Sequence, residues 1–86
     1  MYILDYILST WYHNKMNKLE ELGNNIRAER NRLRLSQEQL ASLAGIQQPH
    51  LGKIERGEVD VRFSTLTSII EALNVPFEKL YNIQQK

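Results

Sequence analysis

From Lys18 onward the apolar positions recur at three- and four-residue steps and never alternate, a pattern that predicts helices and no strand. Leu19, Leu22, Ile26 and Leu33 share one face of a first helix, with Arg30 at the step where an apolar residue is expected. A second helix starts after Ser36, since serine is a good N-cap and Gln39 three residues on completes an S-x-x-Q capping box. Leu40, Leu43 and Ala44 are its expected buried face. Gly45 stops it, because glycine takes the left-handed conformation beyond a helix end at little cost, and Ile46 returns to the core. Gln47 then caps a third helix with Pro49 in its first turn, where a missing N–H does no harm; Leu51 and Ile54 point inward and Gly57 ends it. After the loop EVDVR a fourth helix runs from about Ser64 to Asn74 through Leu66, Ile69, Ile70 and Leu73, and Pro76 opens a fifth, short helix carrying Phe77, Leu80 and Tyr81.

The first stretch of chain differs in character. Ile3, Leu4, Ile7, Leu8 and Trp11 follow helical steps with Tyr2 and Tyr6 beside them, so residues 1–17 read as an amphipathic N-terminal extension and residues 18–86 as the domain proper. Asp5 interrupts the apolar run, no basic segment precedes it, and it falls well short of the roughly 20 residues of a membrane span. It is neither signal peptide nor anchor on these grounds. Met16 is a candidate alternative start, in which case residues 1–15 would be an accidental extension.

Composition narrows the functional classes. A chain of 86 residues makes one small domain and not two. The absence of cysteine removes disulfides, thiolate zinc sites and cysteine nucleophiles, and His13 and His50 have no ligand spacing, so neither metal nor cofactor is expected. With no nucleophile–base pair or phosphate-binding glycine loop, an enzyme is disfavoured. Glu20, Glu21 and Glu29 read as solvated helix surface. So small a core favours oligomerisation. The net charge of +1 does not by itself suggest nucleic acid. Residues 26–36, however, carry Arg27, Arg30, Arg32 and Arg34 against Glu29 alone, and Lys53, Arg56 and Arg62 follow, so a basic face backed by an acidic one is expected.

The segment LSQEQLASLAGIQQPHLGKIERG, residues 35–57, reads as two short helices joined by a tight Gly45-Ile46 turn. That is the geometry of a helix-turn-helix, whose second helix lies in the major groove of DNA. With LGNNIRAER before it and FSTLTSIIEALNV after it, the chain from Leu22 to about Tyr81 resembles the Cro/cI (Xre-type) helix-turn-helix repressors. The resemblance implies an all-α, five-helix lambda-repressor-like DNA-binding domain, with or without an extra N-terminal helix.

It also implies roles. Gln37 matches the family glutamine that binds a phosphate with its side chain and helix N-terminal amide. Gln47, Gln48, Pro49, His50, Gly52 and Lys53 form the DNA-facing set. Within it, Gln48 matches a base-reading position whose amide suits adenine N6 and N7, His50 joins it, and Lys53 takes guanine or phosphate. Pro49 departs from the usual donor-rich residue and offers a thymine methyl only apolar contact; Gly52 permits close backbone approach. Arg56 and Arg62 flank the following loop, where the family places phosphate contacts, and Arg30 is expected to pair with Glu55 as a structural clamp. Arg34 stands where the family commonly has a turn glycine; it either reaches a phosphate or tolerates a strained turn.

The implied function is a sequence-specific transcriptional regulator, cytoplasmic in a bacterium or phage, that occupies a pseudo-palindromic operator as a homodimer through residues of about 47–56. Phe77, Leu80 and Tyr81 are the candidate dimer patch, with the N-terminal stripe as the other choice. The small size resembles restriction-modification controller proteins or phage and mobile-element repressors. The alternative is an antitoxin that binds a toxin protein and autoregulates its operon; a helical protein-interaction module is the third reading.

Overall fold

The structure, a computed structural model, describes residues 18–81. The expected N-terminal helix, Met16 and His13 lie outside the described residues. Within them the chain forms α1 over 18–32, α2 at Gln37–Ala44, α3 at Gln48–Glu55 and α4 at Phe63–Leu73, followed by a single 3-10 turn, Phe77–Lys79. The expected fifth helix is therefore only that turn, with Pro76 before it. Three residues complete no α-helical repeat, and Leu80 and Tyr81 close the turn by donating their N–H groups to the Phe77 carbonyl.

Local chemistry sets the helix ends. Ser36 Oγ accepts from the Gln39 N–H at 3.0 Å while Gln39 Oε1 accepts from the Ser36 N–H at 2.8 Å, so the capping box is complete. Gly45 and Asn74 end α2 and α4 in the left-handed region, at φ 71° and 56°. Fourth-helix residues begin at Phe63, one position before the expected start, with Arg62 as cap.

The core is built from Leu22 and Ile26 of α1, Leu40, Ala41 and Ala44 of α2, Leu51 and Ile54 of α3, Ile69 and Leu73 of α4, and Leu80. α2 packs against both α3 and α4. Two apolar residues expected inside are not. Leu43 is 63% exposed, and its place is taken by Ala41. At about 100° per residue, Leu40, Ala41 and Ala44 share an arc of about 100° and Leu43 falls about 110° from its centre. Leu33, 38% exposed, comes after α1 has ended.

The turn between α1 and α2 places Arg34 at φ 61°. This is the strained-turn alternative, since a left-handed conformation costs a residue with a Cβ roughly 1–2 kcal/mol. Arg34→Gly is expected to raise stability by about 0.5–1 kcal/mol after the entropy of a free glycine is deducted. Urea midpoints test this: Arg34→Ala should gain nothing, and equal gains for the two variants would remove strain as the cause.

Candidate nucleic-acid interface

The N-terminal end of α3 faces solvent through Gln47, Pro49 and His50, which are exposed, and Gln48, which is half-buried. Lys53, one turn further, is exposed as well. Beneath them lies a buried carboxylate. Glu55 is 1% exposed and is the buried charged residue of the described core.

Glu55 is held by the residue that broke the apolar pattern of α1. Arg30 Nε donates to Glu55 Oε2 at 2.7 Å and Arg30 Nη2 to Oε1 at 3.0 Å, a side-on fork, while Arg30 Nη1 donates to the Leu35 carbonyl at 2.9 Å. All three guanidinium nitrogens are used, geometry that lysine cannot reproduce. Arg27 Nη2 donates to the Glu55 carbonyl at 2.9 Å, satisfying a carbonyl at the negative end of α3. In the sequence Arg27 is marked only by its charge.

The carboxylate also organises the outer amides. Gln37 Nε2 donates to Glu55 Oε1 at 2.9 Å, and Gln48 Nε2 donates to Gln37 Oε1 at 2.6 Å. A carboxylate can only accept, so the Gln37 amide must turn its nitrogen inward and its oxygen toward Gln48. Gln48 must then donate its nitrogen. One N–H and the carbonyl oxygen of Gln48 remain, the donor and acceptor that an adenine edge requires. The chain of contacts from Arg30 through Glu55 and Gln37 to Gln48 thus fixes the orientation of an amide at the surface from a charge in the interior.

Gly52 is a correction. It is buried, not open to a ligand: a Cβ there would meet Arg56 Nη1 at 3.2 Å and Gln37 Oε1 at 3.5 Å. The missing side chain lets those two groups lie across α3. The basic cluster is also less free than its sequence suggests. Arg27 and Arg30 serve Glu55, Arg32 pairs with Glu29 at 2.8 Å, and Arg56 pairs with Glu58 at 2.7 Å. Glu29, expected on the solvated surface, is half-buried. Arg34, Lys53 and Arg62 are exposed.

The hydrogen bond from Arg56 holds the Glu58 carboxyl below its ordinary range, and the same bond raises Arg56. A depressed carboxylate contributes at neutral pH, and the contribution is lost as pH falls through its folded-state value. Both side chains are exposed, so the stabilisation is slight. The functional consequence is larger: for Arg56 to reach a phosphate it must exchange Glu58 for it.

Two close approaches that the sequence reading missed position α1 against this end of α3. A Cβ at Gly23 would overlap the carbonyl oxygens of Ile54 and Glu55, and one at Gly57, at φ 74°, would lie 2.8 Å from Glu20 Cα. For Gly23 the only signal in the sequence is a lone glycine inside a helical pattern, and Gly57 is legible there only as the end of α3. Of the expected dimer patch, Leu80 is fully buried and belongs to the core, its carbonyl accepting from Asn25 Nδ2 at 2.7 Å. Phe77 and Tyr81 are half-buried, with ring centroids 5.7 Å apart.

Among the described residues no group of His, Asp and Glu is placed to hold a metal ion, and no helix is long and apolar enough to cross a membrane.

The helix-turn-helix family model matches residues 26–80. The control protein C.SmaI of Serratia marcescens is 43% identical over 65 residues, 76% of this chain and 77% of that protein. The crystal structure of the restriction-modification controller protein C.AhdI from Aeromonas hydrophila superposes with a TM-score of 0.71 at 32% identity, over 73% of this chain and 96% of that one.

Proposed function

The chain belongs to the Xre-type (Cro/cI) helix-turn-helix family, and on that premise we propose that it is a sequence-specific transcriptional regulator that occupies operator DNA as a homodimer and controls a restriction-modification system. The observation that carries this reading is the Gln37–Gln48 pair, anchored on buried Glu55 and presented at the exposed start of α3. α3 enters the major groove, where Gln48 and His50 read base edges, Pro49 meets a thymine methyl, and Gln47 and Lys53 take flanking bases or phosphate. Gln37 binds a phosphate at the N-terminus of α2, whose first N–H groups have no partner within the helix. Arg62, exposed at the cap of α4, holds the backbone, and Arg56 joins it on leaving Glu58.

A module of this size contacts few base pairs, so a two-fold dimer with half-sites about 34 Å apart supplies the remaining specificity. The likeness to two controller proteins supports the regulator over the antitoxin alternative.

Selection from random duplex DNA with the full chain tests the proposal. A symmetric site is expected. Gln48→Ala should lose about 1–3 kcal/mol of discrimination at one position of each half-site. Arg62→Ala should weaken all sequences alike and reduce the salt slope by about 1. No enrichment by the dimeric protein would overturn the reading.

A further inference from the structure

We infer that the groove where α1 begins is a docking site for the chain's own first eleven residues. The groove, about 320 Å³, is walled by Lys18, Leu19 and Leu22 of α1, Asp60 of the loop before α4, Leu66 of α4, and Phe77 and Tyr81 at the 3-10 turn. Leu19, Leu66, Phe77 and Tyr81 are only half-buried. Apolar area left facing water forgoes stabilisation of about 25 cal/mol per Å², so this face gains from a cover.

Connectivity and composition identify the cover. The chain enters the fold at Lys18, itself a wall of the groove, so the preceding residues are tethered at its mouth. Residues 12–17 can span up to about 20 Å, enough to fold the segment back over the groove. Such a tether also raises the effective concentration of the segment to the millimolar range. Residues 1–11 carry Ile3, Leu4, Ile7, Leu8 and Trp11 at helical steps, and as a helix they would be about 16 Å long. Asp5 is their one charged side chain, and the groove carries both a cation, Lys18, whose Nζ lies 5.6 Å over the Tyr81 ring, and the carboxylate of Asp60, so the apolar steps and not charge select the cover. The family match starts at Ile26, so this cover is an addition outside the matched region.

Phe77 and Tyr81 had been candidates for self-association; the inference assigns them to the N-terminal segment instead. It does not depend on the DNA-binding reading.

Trp11 is the single tryptophan of the chain, so its fluorescence, excited beyond the tyrosine band, reports on the segment alone. In the intact protein its emission is expected well to the blue of the denatured chain, shielded from acrylamide, and unchanged by dilution through any dimer–monomer transition followed by sedimentation. Phe77→Ser should move it to the red with the far-UV helical signal retained, while Phe63→Ser, 80% exposed and outside the groove, should not. Because the wild-type emission is read without any substitution, the test survives a Phe77 variant that fails to fold. Emission at the denatured position in the intact protein overturns the inference. So does a red shift on dilution, which would give the groove to a second copy, or a folded Phe77→Ser with unchanged emission.

Discussion

Arg30→Met is expected to destabilise the domain by about 3–5 kcal/mol, because it leaves the Glu55 carboxylate buried without its cation. A domain of this size holds roughly 5–10 kcal/mol in total, so the loss is a large share of its stability. Removing the guanidinium also leaves the Leu35 carbonyl without its side-chain donor, and Gln37 alone remains on Oε1 beside a distant Arg27 Nε at 3.9 Å. Urea denaturation should show a much lower midpoint at unchanged slope. Arg32→Met is the control: its side chain is 59% exposed and pairs with Glu29 three residues away, so it should stay within about 0.5 kcal/mol of wild type. Equal midpoints for the two variants would sink the clamp. The double variant Arg30→Met with Glu55→Leu should recover part of the loss, since an apolar pair replaces a stranded charge. It should nonetheless bind DNA with relaxed specificity, because Gln37 no longer has a carboxylate to orient it.

Gly23→Val is the second large expectation, about 3 kcal/mol or more. Overpacking typically costs about 1–3 kcal/mol when side chains can yield. Here the obstacles are the carbonyl oxygens of Ile54 and Glu55, which belong to the last turn of α3 and cannot rotate away. α1 must move off, and with it Arg27 and Arg30, both donors to Glu55. Gly23→Ala should already destabilise, although alanine is favoured over glycine in a helix by about 1 kcal/mol. Gly45→Ala is the contrast. Nothing lies within 4 Å of its added methyl, so its cost should be only the roughly 1–2 kcal/mol of a left-handed φ. If Gly23→Ala were as stable as wild type in a urea melt, the close approach would not be a packing constraint.

Both expectations concern one junction, and they show how an exposed surface of neutral side chains, the one proposed to read DNA, is set by groups that never reach it. The amides of Gln37 and Gln48 have two orientations each in isolation. Glu55 selects one, Arg30 keeps Glu55 in place, and Gly23 sets the distance between the helices that carry them. This arrangement also accounts for the charge balance. Much of the positive charge in residues 26–36 is spent on internal acceptors, and the proposed interface draws on exposed Lys53 and Arg62, with Arg56 once it leaves Glu58. On the proposed reading, a surface so modestly basic is expected to give little non-specific affinity and to leave more of the discrimination to base contacts.

The sequence by itself determined the ends of α2 and α3 and the C-terminal end of α4, while the fifth helix it predicts is a single 3-10 turn. The Ser36–Gln39 box, the left-handed Gly45, Gly57 and Asn74, and Pro49 in the first turn of α3 all act within four residues of themselves, so their spacing suffices to read them. Arg30 announced itself as a charge on an apolar stripe, and the family resemblance supplied Glu55 as its partner. The tertiary structure alone decided which arc of a two-turn helix is inside. In α2 the period leaves Leu43 and Ala41 both eligible, and only the positions of α3 and α4 bury Ala41 and expose Leu43. It also decided that Gly52 is covered, that Leu80 belongs to the core, and that Arg27, Arg30 and Gln37 meet at a residue 28, 25 and 18 positions away. Contacts at such separations leave no periodic trace in the chain, because they depend on how the helices cross and not on what any one helix contains.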